Sequence, residues 1–66
     1  MKLINTTTRN AFYTIHRWNA NVIVRFGKIG TKGQIRVFEF VDPRSAQCFL
    51  EEKIEKKLDR NYVVAA

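Results

Sequence analysis

The sequence predicts an α+β fold: a small antiparallel sheet of three to four strands with one helix packed on one face. Three observations predict it. Two runs rich in aromatic and β-branched residues flank a short asparagine turn, a glycine-rich segment leads from the second run into a third, and an Asp-Pro pair opens an apolar stripe at helical spacing. Short connections make the strands antiparallel, and the stripe must cover the sheet because neither a hairpin nor a helix of this size is stable alone.

The first run, Phe12-Tyr13-Thr14-Ile15-His16-Arg17-Trp18, has strand composition, and Asn19-Ala20-Asn21 supplies turn-forming asparagines. Val22 to Phe26 alternates, with Val22, Val24 and Phe26 on one face and Ile23 and Arg25 on the other. The third run, Ile35-Arg36-Val37-Phe38-Glu39-Phe40-Val41, is apolar on both faces, so its pattern leaves the inward face open. Asp42 suits a helix N-cap and Pro43 the first helical position. Ala46, Phe49, Leu50, Lys53, Ile54, Lys57 and Leu58 then follow helical spacing, the two lysines laying their stems along the stripe, and Glu52 and Lys56 form an i,i+4 pair on the solvent side. Asn61 suits the left-handed turn that ends a helix, and Tyr62-Val63-Val64 can return as a short strand.

A chain of 66 residues makes one small domain, burying roughly 60% of the surface its unfolded chain exposes. The reading places a Thr-rich N-terminal extension over residues 1–10 and the domain over 11–66. A hydrophobic content of 45%, including five Phe, two Tyr and one Trp, is that of a globular chain rather than a disordered one. With one cysteine, Cys48, and one histidine, His16, there is neither an internal disulfide nor a zinc-ligand set. No signal-peptide core and no run near the ~20 apolar residues of a membrane span are visible, so the expectation is a soluble, cytoplasmic protein without a membrane partner.

The net charge of +6 is unevenly distributed: residues 1–41 hold seven Lys/Arg against the single acid Glu39, whereas residues 43–66 hold five against four. A one-sided basic field attracts polyanions, although by charge alone simple solubility explains it equally well. All three glycines fall in Phe26-Gly27-Lys28-Ile29-Gly30-Thr31-Lys32-Gly33-Gln34. A long hairpin connection is the bland reading of this segment. Lys28 and Lys32 shift the balance, because glycine N–H groups beside ammonium groups suit phosphate oxygens. The Walker phosphate-loop spacing is absent, so nucleotide hydrolysis is not supported.

Phe12, Phe38, Phe40, Phe49 and Tyr62 read as core. Phe26 and Trp18 adjoin turns and basic neighbours and are candidates for stacking on a base or sugar; for Trp18 a core position is preferred. His16 has no triad partners at a suitable spacing and reads as a packed or surface residue. Cys48 lies well inside the helix, where no helix terminus activates it, and reads as an inert, buried or half-buried thiol. The chain reads as a non-enzyme without cofactor or metal.

The order of elements, with Phe12-Tyr13, the segment Phe26 to Gln34, Phe38, Phe40, Ala46, Phe49, Lys57 and Asn61-Tyr62, resembles the WGR domain. That family, named for a Trp-Gly-Arg signature, occurs in DNA-dependent poly(ADP-ribose) polymerases and in bacterial proteins. The resemblance covers residues 11–63. Phe26 stands where the family has Trp, Lys28 where it has Arg, and Asn61 where many members have Gly. In family members bound to DNA the Trp packs on the sugar of a strand terminus and the Arg contacts the backbone, which implies those roles for Phe26 and Lys28.

Two functions follow. The first is a nucleic-acid-binding module, with DNA favoured over RNA, that holds phosphates with Arg25, Lys28, Lys32 and Arg36 and packs Phe26 on a sugar or base; Gly27, Gly30, Gly33, Gln34 and Trp18 complete the candidate site. No recognition helix is present to read base sequence. The alternative is a protein-interaction module that docks a separate partner through the sheet edge or the same turn. An unpaired strand edge leaves monomer and weak homodimer both open.

Overall fold

The computed structural model describes residues 1–65. Five strands and one helix follow in the order β1 (Lys2–Asn5), β2 (Ala11–Trp18), β3 (Asn21–Lys28), β4 (Gln34–Glu39), α1 (Pro43–Leu58) and β5 (Val63–Ala65). They build an antiparallel sheet of spatial order β4-β3-β2-β1-β5 with α1 across one face. The expected α+β fold is present, with one strand more than the three to four read from the sequence.

That additional strand corrects the reading of residues 1–10 as an extension. Leu3 is fully buried opposite Tyr13 on β2 and Val64 on β5, so β1 lies inside the sheet. Its four residues are too few to show a period, and its second partner lies at the far end of the chain. The next residues are ordered by Asn5, whose side chain is only 2% exposed. Its Oδ1 accepts from the backbone N–H groups of Thr7 (3.2 Å), Thr8 (3.1 Å) and Arg9 (3.4 Å), while Nδ2 donates to Thr8 Oγ1 (3.0 Å) and the Arg60 carbonyl (3.2 Å). This amide ties the β1–β2 connection to the end of α1.

The β2–β3 turn is tight: Trp18 pairs with Asn21, and Asn19 takes the positive φ of 54°. Cross-strand register aligns Tyr13 with Phe26, Ile15 with Val24 and Val22 with Phe38 on the face beneath the helix. That register also settles β4. Phe38 and Phe40 turn inward against Phe49, with ring centroids 4.8 and 5.1 Å apart, leaving Ile35 and Val37 exposed.

Helix α1 starts as its sequence predicts. Asp42 Oδ1 accepts the Ser45 N–H at 2.7 Å and Pro43 opens the first turn. The Ser45 N–H, the largest influence, holds the Asp42 carboxyl below the usual aspartate range. Ala46 is fully buried against the sheet, and Phe49, Leu50 and Ile54 pack on the core formed by Leu3, Tyr13, Ile15, Val22, Val24 and Tyr62. Glu52 and Lys56 pair at 3.3 Å, both well exposed, a contact worth only a few tenths of a kcal/mol. Asn61 ends the helix in left-handed geometry (φ 69°), and the Tyr62 N–H reaches back to the Lys57 carbonyl at 3.2 Å. Cys48 is exposed rather than buried or half-buried, because it falls outside the stripe that meets the sheet. Among the described residues no helix is long and apolar enough to cross a membrane.

Candidate functional site

The helix leaves one end of its sheet face uncovered. A cleft of about 830 Å³ opens there between the C-terminal turn of α1, the start of β2 and the end of β3. Tyr13, Phe26 and Tyr62 supply aromatic surface; Arg9, Lys28 and Lys57 supply positive charge, and among the described residues no carboxylate lines it. The ion pair among the described residues, Lys56–Glu52, involves none of these cations.

Lys57 is the most informative of the three. Its Nζ lies 4.8 Å from the Tyr13 ring centroid and 5.2 Å from that of Tyr62, so the two rings favour the ammonium. Burial, followed by the positive charges of Arg60, Arg9 and Lys53, nevertheless lowers its pKa below the ordinary lysine value. A cation held among other cations is a site that an anion would relieve. Burial also raises the Tyr13 hydroxyl above its ordinary value, with Tyr62 adding to the effect, so the phenol stays neutral near pH 7.

The β3–β4 connection explains how the remaining candidate residues are distributed. Gly33 has φ 72°, and a Cβ there would lie 2.3 Å from the Phe26 carbonyl oxygen and 2.7 Å from Phe12 Cζ. A Cβ on Gly27 would lie 2.7 Å from Gly33 Cα. Two backbones meet here, and the loop they close covers Phe12. Thr31 bonds back to the Lys28 carbonyl through its N–H (3.1 Å) and hydroxyl (2.7 Å), and Arg25 Nε donates to the Lys32 carbonyl at 2.6 Å.

The ten candidate residues therefore do not form one cluster. Phe26, Gly27 and Lys28 line the helix-side cleft, and the Arg36 guanidinium lies 5.9 Å from the Phe26 ring. Gln34 pairs with Phe26 across the ladder and is exposed, as is Lys32. Arg25 and Gly30 instead line a cavity of about 400 Å³ that opens on the helix-free face. Trp18 is 70% exposed, so the preferred core reading fails. It stands opposite Asn21, five residues along β3 from Phe26, which is about 17 Å. Arg9 was hidden in the presumed extension. Lys57 was visible as a stripe residue and as part of the family resemblance but not as a site residue, and nothing local announced that the two would meet.

A concave, cationic surface with aromatic walls on a small sheet-and-helix unit has the chemistry that suits an anionic ligand. The family model described as the WGR domain matches residues 1–66, and the chain belongs to the WGR domain family. That family is one of nucleic-acid-binding modules, and its domain is a binding unit, not catalytic by itself. Among solved structures, a crystal structure of a Bacteroides fragilis protein is similar over 100% of this chain at 29% identity, with a TM-score of 0.91. This chain spans only 20% of that protein's length. No curated protein matches the chain.

Proposed function

We propose that the protein binds DNA through the helix-side cleft, with Arg9, Lys28 and Lys57 on backbone phosphates and Phe26 against the sugar or base at a strand end or nick. The observation that carries this reading is three cations around aromatic surface with no carboxylate among the lining residues. The altered signature fits the same chemistry. Phe26 keeps a flat apolar ring, and Arg36 beside it offers the planar guanidinium that Lys28 lacks. Backbone contacts of this kind position a strand without reading its sequence.

The test is fluorescence anisotropy on blunt, nicked and end-blocked duplexes across a salt series. Three phosphate contacts give a log K against log salt slope of about −2.7 on duplex DNA, and Lys28→Ala/Lys57→Ala should shallow it by about 1.8. Loss of the end or nick preference in Phe26→Ala would support the strand-end contact. An unchanged slope in the double variant would remove these lysines from the interface.

The exposed edge of β4 favours a second reading, a module docking a partner protein. Ile35 and Val37 are 67% and 57% exposed on a strand paired on one side only. Retention of a stoichiometric partner in high salt, with no DNA bound in low salt, would select it.

A further inference from the structure

The division of the cations between two faces has a consequence for the ligand. The cavity on the helix-free face is lined by Lys2 and Arg25, by the hydroxyl-bearing Thr14 and Thr31, and by an apolar floor that includes Ile4 and Phe12; among the described residues no carboxylate lines it. Phe12 also lines the helix-side cleft, so the two concavities share one wall at the same end of the sheet. Arg25 is held in place by its Nε bond to the Lys32 carbonyl and by packing 5.5 Å from the Phe12 ring centroid, which leaves its terminal amino groups free of protein hydrogen bonds among the described residues. Lys2 Nζ likewise makes no ion pair among them.

We infer that this second cavity is a phosphate subsite for single-stranded nucleic acid, holding the backbone of an overhang that runs from a strand end in the helix-side cleft, around Phe12, onto the open face. The apolar floor suits a sugar or base, while Lys2 and Arg25 take the neighbouring phosphates. Duplex is excluded from this path by stiffness. Its persistence length of roughly 150 base pairs forbids a turn around the end of a sheet, whereas a single strand bends within a few nucleotides. The subsite rests on the cleft binding a strand end, and the experiment separates the two.

The experiment compares a blunt duplex with the same duplex carrying a short single-stranded overhang, by anisotropy at several salt concentrations. In wild type the overhang should tighten binding and steepen the salt slope by about 1.4, two single-strand contacts at about 0.7 each, so that its advantage shrinks about sevenfold between 50 and 200 mM salt. Lys2→Ala/Arg25→Gln should return the overhang duplex to the blunt value and leave blunt binding unchanged. Lys2→Ala alone, which removes no side-chain hydrogen bond among the described residues, should remove about half of the added slope and guards against misfolding of the pair. An overhang without effect in wild type, or an advantage that survives the double variant, overturns the subsite while blunt binding still supports the cleft. Failure to bind either duplex overturns both.

Discussion

The two turns that bound β3 solve the same geometric problem with different residues and different consequences. At one end Asn19 takes the positive φ, the turn is two residues long, and the flanking Trp18 projects into solvent. At the other, Gly27 and Gly33 bring two backbones into contact, close a loop over Phe12 and direct Lys28 and Arg25 to opposite faces. An asparagine suffices where only one dihedral is demanding. Glycine is required where a second backbone occupies the place of a Cβ.

The largest effect that tests this contrast is Gly33→Ala. Positive φ and a collision with a backbone carbonyl act together, and urea unfolding should show a loss of about 3 kcal/mol or more. A loss no larger than that of an ordinary surface substitution would mean that the loop repacks easily and the contrast is false. Gly30→Ala isolates the dihedral term, since φ is 94° but nothing lies within 4 Å of its Cβ position; about 1 kcal/mol is expected in the same assay.

The cleft end is also distinguished by charge. Lys57→Met should keep folding stability within about 0.5 kcal/mol, because lost ring contacts are offset by relief from neighbouring cations. The same variant should shallow the duplex salt slope by about 0.9, seen by anisotropy. The lowered pKa of Lys57 has two consequences of defined sign. Folding is disfavoured while the crowded ammonium is protonated, and that cost is relieved as pH rises through the folded pKa toward the ordinary 10.5. DNA affinity should fall over the same alkaline window, beginning below 10.5, and Lys57→Arg should flatten the decline. The smallest effect belongs to the other turn. Trp18→Ala should change stability by less than about 0.5 kcal/mol and leave DNA affinity unaltered. Binding weakened as strongly as by Lys57→Met would show that the contact surface extends along the whole of β3.

Much of the fold was legible because its signals are local. Aromatic and β-branched composition marked β2, alternation marked β3, Asp42-Pro43 marked the helix start, and Asn61 marked its end. Strand β4 was found but not its inward face, since Ile35 and Val37 are as apolar as the Phe38 and Phe40 that meet Phe49. Strand β1 was missed because its four residues acquire meaning only between β2 and β5. For the site, Phe26 and Lys28 stood out in the glycine-rich segment. Arg25, three residues before Lys28, points to the other face, as a residue an odd number of positions away along a strand must.

The sequence by itself determined the family, the helix with both of its ends, the hairpins and the excess of positive charge, because caps, periods and turn residues act over a few neighbouring positions. Only the tertiary structure decided that β1 joins the sheet, that Arg9 and Lys57 meet Lys28 around one cleft, and that Arg25 joins Lys2 on the opposite face. Those groupings unite residues far apart in the chain, 48 positions from Arg9 to Lys57 and 63 from Lys2 to its partner Ala65, and they follow from where the helix crosses the sheet and which strands pair, which no local pattern encodes.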